Sequence, residues 1–178
     1  MPFPEPETAR LRCRTPRPSD VDQLHALFAD PDVMRHIGAG TVWDRDEIAR
    51  RIERGIGMIA DGKPYLWTVE RRDTGEVIGQ GGLVAIDFNG PETELGYRLG
   101  RAHWDHGFAT EIARAAVECA FTPGERGGLG LDRLVALCYL ENTASRRVLA
   151  KAGFVKDGMT DAYYGVTSLR HEHRGPNA

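Results

Sequence analysis

Three cysteines, Cys13, Cys119 and Cys138, are all that this sequence of 178 residues contains, and they stand far apart. That spacing excludes a Cys-rich metal knuckle and a disulfide scaffold, and so few thiols fit a reducing cytoplasm. Long apolar runs are missing: nothing approaches the roughly 20 residues that cross a bilayer. A surplus of positive charge is missing too, with 23 Lys and Arg against 26 Asp and Glu and a net charge of -3. Neither nucleic acid nor an anionic membrane is therefore an expected partner. The opening segment, Met1 to Glu7, is proline-rich and acidic, unlike a secretory or transit leader. No Gly-x-x-x-x-Gly-Lys-Ser/Thr run occurs, which argues against an ATP-binding loop of that kind.

What is present is an ordinary globular composition, 41% hydrophobic and 28% charged, in a length that suits one domain. Residues 1–8 are expected to fray, residues 9–172 to form the domain and 173–178 a tail. Residues 9–15 read as a strand with Leu11 and Cys13 on one face. Ser19 reads as the N-cap of a helix over 20–29, and a short helical turn is expected within 32–37. Asp44 with Glu47 resembles a capping box for an apolar stripe through Ile48, Ile52, Ile56 and Ile59. Tyr65 to Arg71, a turn at Asp73-Thr74-Gly75, and Glu76 to Ile86 read as a hairpin. Thr93 to Leu99 reads as a strand and 107–122 as a helix. Leu134 to Leu140 is an apolar run that suits a strand buried on both faces. A helix over about 142–152 should end at a Gly153 cap, with closing strands near 153–156 and 163–170.

Residues 94–111 are the most informative stretch. They read as a strand, a tight turn with small residues Gly107 and Ala109, and the first turn of a helix. Such a turn leaves backbone N–H groups free at the positive end of the helix dipole, a site for a phosphate. Small residues let the ligand approach the backbone. A second segment begins at Asn142, which can cap a helix and also present an amide to a ligand. Ser145 follows one turn later on the same face. Both sit at the C-terminal end of a strand, where open α/β sheets place their ligands.

Together these segments resemble the GNAT superfamily of acetyl-CoA-dependent N-acetyltransferases, in particular the RimJ/RimL-type branch that acetylates ribosomal-protein N-termini. The residues that carry the resemblance are Glu94-Leu95-Gly96-Tyr97, the run Trp104 to Glu111, Asn142 with Ser145, and Lys151-Ala152-Gly153-Phe154. It covers about residues 9–171, most strongly from Glu94 to Phe154. The implied fold is α/β (α+β): a single GNAT-type domain whose mixed, mostly antiparallel sheet of about six to seven strands is flanked by about four helices. The implied reaction moves an acetyl group from acetyl-CoA, the co-substrate, to a primary amine by direct attack in a ternary complex. The implied cofactor-binding set is Arg98, Leu99, Gly100, Trp104, Asp105, His106, Gly107, Phe108, Ala109, Thr110, Asn142, Ser145 and Arg147. No metal is expected. The acceptor is a small-molecule or peptide amine, and the protein a cytoplasmic monomer or homodimer.

Chemistry constrains the implied mechanism. A protonated amine cannot attack, and amine pKa values lie near 8 for an α-amino group and near 10.4 for lysine. Glu94 is the candidate base, directly or through water. The resemblance assigns the oxyanion donor to a backbone N–H of the strand around Leu99. The departing thiolate, with a pKa near 8.5, gains from a proton donor, and Ser145 is the candidate by analogy with the branch. Two positions depart from the family pattern. Asp105 replaces a usual glycine and must point its carboxylate away from a pyrophosphate. Leu149 stands where many members carry a tyrosine acid. With that tyrosine missing, a non-catalytic acyl-CoA-binding or sensing module is the alternative reading.

Other residues carry plainer expectations. Trp104 should pack, and His103 and His106 should face solvent. The His171-Glu172-His173 run is incidental to metals. Arg50, Arg51 and Arg54 should form the wet face of a helix. Arg35 to Trp43 should rim an acceptor pocket that Asp161, Tyr163 and Tyr164 help to line.

Overall fold

The strand and helix periods written in the sequence sort into one sheet with helices on both faces. The structure is a computed structural model and describes residues 3–86 and 90–176. The expectations for 1–2 and 177–178 lie outside the described residues. Strand β1 is Leu11–Arg14, followed by a 3-10 turn at Pro18–Asp20 and helices α1 (Val21–Phe28), α2 (Pro31–Met34) and α3 (Arg45–Ala60). The hairpin strands are β2 (Trp67–Arg71) and β3 (Val77–Ala85), then β4 (Thr93–Leu99) and helix α4 (Phe108–Phe121). The chain closes with β5 (Arg133–Tyr139), α5 (Thr143–Lys151), β6 (Val155–Thr160) and β7 (Ser168–Arg174).

The seven strands form one sheet in the order β1-β2-β3-β4-β5-β7-β6. Only β4 and β5 run parallel; the other neighbours are antiparallel. One face packs on α4 and α5 through Leu11, Cys13, Ile78, Leu95, Ile112 and Leu149. The other carries α1, α2 and α3 on Leu24, Phe28, Met34, Ile48 and Ile52. Asp44 accepts from Glu47 N–H at 2.7 Å, as the capping pattern predicts. Gly153, at φ +91°, closes α5: Phe154 N–H reaches Leu149 O at 3.0 Å and Gly153 N–H reaches Ala150 O at 3.2 Å. This is the double bond of a left-handed glycine cap.

Four local expectations are corrected. Ser19 does not cap α1; the 3-10 turn puts Asp20 at that position. The Asp20 carboxylate is held instead by Arg14 at 2.8 Å, Thr68 Oγ1 at 2.8 Å and Arg17 N–H at 2.8 Å. Its demand for buried partners outweighs the propensity of a neighbouring serine. Residues 3–8 are docked rather than frayed. Phe3 is buried against Trp67, whose indole N–H donates to Pro4 O at 2.8 Å. The last two strands lie further along the chain than expected, and β7 takes in His173 and Arg174, beyond the expected end of the domain at 172. β6 is an exposed edge with no apolar alternation. β7 is held by its full register with β5 and by charge pairs such as Arg133 with Glu172, which a hydrophobic period does not reveal. Finally, His103 is buried, not solvent-facing: it closes a 3-10 turn and lies 3.6 Å from Glu76.

Candidate active site

β4 is bonded to β3 along its even-numbered residues. Gly100 N–H donates to Ile78 O at 2.9 Å past one end of the ladder, and Ile86 N–H donates to Glu92 O at 2.8 Å past the other. No register shift intervenes. Antiparallel pairing alternates along a strand, so the N–H groups of Leu95, Tyr97 and Leu99 turn the other way, towards β5. There the parallel ladder holds at one register pair, Glu94 with Val135. Beyond that pair β4 offers donors to an opening between the two strands.

A cavity of about 380 Å3 runs through this opening. It is lined from the α1–α3 face by Trp43, Leu66, Glu94 and Arg98, and from the α4–α5 face by Asn142, Ser145 and Leu149. Two ligands entering from opposite faces of the sheet can therefore meet at β4. Glu94 is buried, and its Oε2 accepts a 2.6 Å bond from the Tyr164 hydroxyl. Tyr164 itself sits in the left-handed region, at φ +57°. The loop before α3 forms the rim, as expected, and Tyr139 OH ties it down by donating to Gly38 O. Asp161 and Tyr163 do not line the cavity.

On the opposite wall, Asn142 Oδ1 caps α5 by accepting Ser145 N–H at 3.0 Å. The cap uses the oxygen and leaves the amide NH2 for a ligand. Ser145 Oγ lies 2.8 Å from Tyr97 OH. Burial raises the Tyr97 pKa above that of an ordinary phenol, so it stays protonated as a hydrogen-bond donor. Tyr97 is a residue that the sequence reading passed over as part of a strand motif. Leu149 is buried in the core. The signal was available: Tyr97 lies on the α5 side of its strand by period two.

Arg98 stands apart from the rest of the expected cofactor set. Its side chain is buried beneath the acceptor side, lying over Phe28 at 4.9 Å and Trp43 at 4.5 Å. It donates to Gln80 Oε1. Burial lowers its pKa to about 10.

The residues expected to form a phosphate loop lie past the C-terminal end of β4. Gly107, at φ +80°, is the N-cap of α4. The first helical bond runs from Glu111 N–H to Gly107 O at 3.1 Å, which leaves the N–H groups of Phe108, Ala109 and Thr110 outside the helical ladder. Trp104 is partly exposed but not idle: its indole N–H donates to Leu99 O at 2.9 Å, tying the loop to the strand. His106 is exposed and stacks on Phe108 at 5.8 Å. Arg147 is exposed on α5. Arg10, missed by the sequence reading, reaches the loop by donating to His106 O at 2.9 Å while pairing with Glu111 at 2.7 Å. With Gly107, Thr110, Arg114 and Lys151, and with the carboxylates of Glu7, Glu111 and Glu118, it lines a surface depression of mixed charge of about 610 Å3.

A parted parallel strand pair, with a helix N-terminus just beyond it, is the arrangement the sequence motifs pointed to. The acetyltransferase (GNAT) domain family matches residues 10–155. The chain belongs to the GNAT acetyltransferase family. It is 32% identical over 161 residues to YoaA, an uncharacterised N-acetyltransferase of Bacillus subtilis, covering 90% of this chain and 88% of that one. Among solved structures it superposes on a GNAT-family acetyltransferase of Bacillus anthracis with a TM-score of 0.78 at 21% identity, over 94% of this chain and 96% of the other. It also superposes on RimL, a ribosomal L7/L12 α-N-protein acetyltransferase in complex with coenzyme A, with a TM-score of 0.77 at 17% identity, over 97% and 98% of the two chains. This GNAT chain is thus an acyltransferase of the N-acetyltransferase class, and acetyl-CoA is the acyl donor its family implies.

The backbone at Asp105 shows why a glycine suits this position. Its φ is +61°, the left-handed region that glycine enters without steric cost. The Asp105→Gly variant should therefore gain about 0.5–1 kcal/mol in stability. It should also bind acetyl-CoA a few-fold more tightly at low salt, because a carboxylate beside the phosphate loop is removed. Calorimetric titration at two ionic strengths checks this, with the gain expected to shrink in high salt. Among the described residues no helix is long and apolar enough to cross a membrane, and no acidic, His or Cys cluster could hold a metal ion.

Proposed function

We propose that this chain transfers the acetyl group of acetyl-CoA to a primary amine by direct attack in a ternary complex. The cavity that passes between β4 and β5 carries this reading, because it lets an acceptor on one face of the sheet reach a thioester on the other. The pyrophosphate lies on the bare N–H groups that open α4. The pantetheine arm follows the opening towards Ser145. Glu94, held by Tyr164, takes a proton from the bound ammonium, directly or through water, and the neutral amine so formed attacks the thioester carbonyl. A backbone N–H of β4, from Leu99 or its neighbour Tyr97, donates to the oxyanion. The proton for the leaving sulfur comes from the Ser145–Tyr97 pair.

The decisive test follows free thiol release from acetyl-CoA with a panel of amines, including small amines, amino acids and peptides beginning with Ser or Ala. Release that depends on the amine supports transfer. Tight acetyl-CoA binding with no release across the panel would instead support the non-catalytic acyl-CoA module. Ser145→Ala and Tyr97→Phe should each lower kcat by about three- to tenfold with acetyl-CoA affinity intact, since each leaves one donor near the sulfur. The double variant should lose less than the product of the two, because the hydroxyls share one hydrogen bond. Additive losses would assign them separate roles.

A further inference from the structure

Arg98 is a buried cation at the acceptor side with no carboxylate partner among the described residues. It is 9% exposed and lines the cavity. Its Nε is buried without a hydrogen-bond partner among the described residues. Its contacts are an amide oxygen, Gln80 Oε1, and the ring faces of Phe28 and Trp43. Ring faces and an amide hold the guanidinium in place but do not cancel its charge. None of the ion pairs among the described residues gives it a carboxylate. Arg51, which lines the same cavity, differs in this respect: its Nε lies 2.7 Å from Glu47 Oε1. A buried cation left without an anion is costly unless a ligand supplies one.

Its place on the strand says where that ligand reaches. Glu94, Gly96 and Arg98 share one face of β4 by period two. Their span along the strand is about 13 Å between the first and last Cα atoms. Gly96, in the middle, leaves the floor open: a Cβ there would meet only Leu66 Cδ2, at 3.7 Å. So the proposed base stands at one end, an open floor lies in the middle, and an unpaired guanidinium waits at the other end. We propose that the acceptor is an amine that also carries a carboxylate, an amino-acid-class substrate, with its amine over Gly96 beside Glu94 and its carboxylate on Arg98. A monoanion would neutralise the one guanidinium, whose N–H groups suit a planar carboxylate. Apolar side chains of Leu66, Val84 and Val166 line the same cavity and suit an apolar remainder. This proposal rests on the acetyl-transfer reading above and assigns its substrate class.

The test measures kinetics of the full chain with acetyl-CoA and a series of α- and ω-amino acids, each set against its own primary amide. The acids should exceed their amides at least about tenfold in kcat/KM, through KM. Arg98→Met should abolish that preference by raising KM for the acids while leaving kinetics with the amides and KM for acetyl-CoA in place. Arg98→Lys should restore part of it. A merely structural arginine predicts equal losses for acid and amide, and that result, or a native enzyme that prefers amides, overturns the proposal. Arg98→Met should fold, with an unfolding midpoint at or above that of the native chain, since it removes a buried charge. Succinate supplies a readout independent of turnover: it should raise the unfolding midpoint of the native chain and not that of Arg98→Met. No succinate shift in the native chain would sink the carboxylate site even if amines are acetylated. A shift without turnover of any amine would leave the anion site standing and remove the transfer reading. An aminoalkylphosphonate series in the same assay separates sources of anion, with the carboxylates expected to be preferred.

Discussion

Glu94→Gln is expected to lower kcat by about a hundredfold or more while acetyl-CoA binds with unchanged affinity. The glutamine keeps the size of the side chain and an acceptor oxygen for the Tyr164 hydroxyl, now 2.6 Å from Glu94 Oε2. It cannot take a proton. Because Glu94 lies on the strand face opposite the α4–α5 wall, the change should not touch the pyrophosphate loop or Ser145. A calorimetric Kd for acetyl-CoA within about twofold of native, with turnover down by two orders of magnitude, separates loss of a base from loss of donor binding. Turnover within a factor of about two of native would remove Glu94 as the base. Tyr164→Phe is a useful companion, because the Tyr164 hydroxyl positions the carboxylate without itself accepting the proton. The pH–rate profiles tell the two apart. Glu94→Gln should abolish the rise of rate with pH that reports the base, while Tyr164→Phe should keep that rise and shift it.

The segment proposed to hold the pyrophosphate was readable because its features are local. A strand, a small-residue turn and a helix start are contiguous in the chain, and a helix N-terminus needs no distant partner to expose its N–H groups. Asn142 and Ser145 were readable for the same reason: one side-chain bond across three residues makes the cap. The acceptor side was not. Tyr164 meets Glu94 across 70 positions of sequence, and Tyr139 fixes the Gly38 loop across 101. Such pairings follow from sheet order, in which β5 lies beside β4 and β7 beside β5, and no period in the sequence states that order. The family resemblance places Arg98 in the cofactor-binding set. Only the fold reveals that its side chain turns to the other face, among Phe28 and Trp43. Asp20 shows a related limit. Capping propensity nominated Ser19, yet a buried carboxylate with three donors overrode it.

Gly107→Val is expected to weaken acetyl-CoA binding by about tenfold to a hundredfold while the chain still folds. Gly107 has φ +80°, and a β-branched residue there costs about 1–2 kcal/mol of left-handed strain, a modest share of a domain's stability. The strain is not compounded by a clash, since a Cβ at Gly107 would meet only Arg10 Nη2, at an ordinary 3.5 Å. The larger effect falls on the ligand. A pyrophosphate oxygen bound at the start of α4 must come within hydrogen-bond distance of backbone N–H groups, and side-chain atoms on Gly107 would occupy that approach. Losing one charge-assisted bond costs about 1.5–3 kcal/mol, which sets the range above. Arg10→Met separates charge from backbone geometry. It removes a cation from the same rim, so its effect on binding should fade in high salt, whereas the Gly107→Val loss should persist. If Gly107→Val instead binds acetyl-CoA within about threefold of the native chain, the N–H groups of Phe108, Ala109 and Thr110 do not hold the pyrophosphate. The thioester would then have to be positioned by the walls of the β4–β5 opening alone.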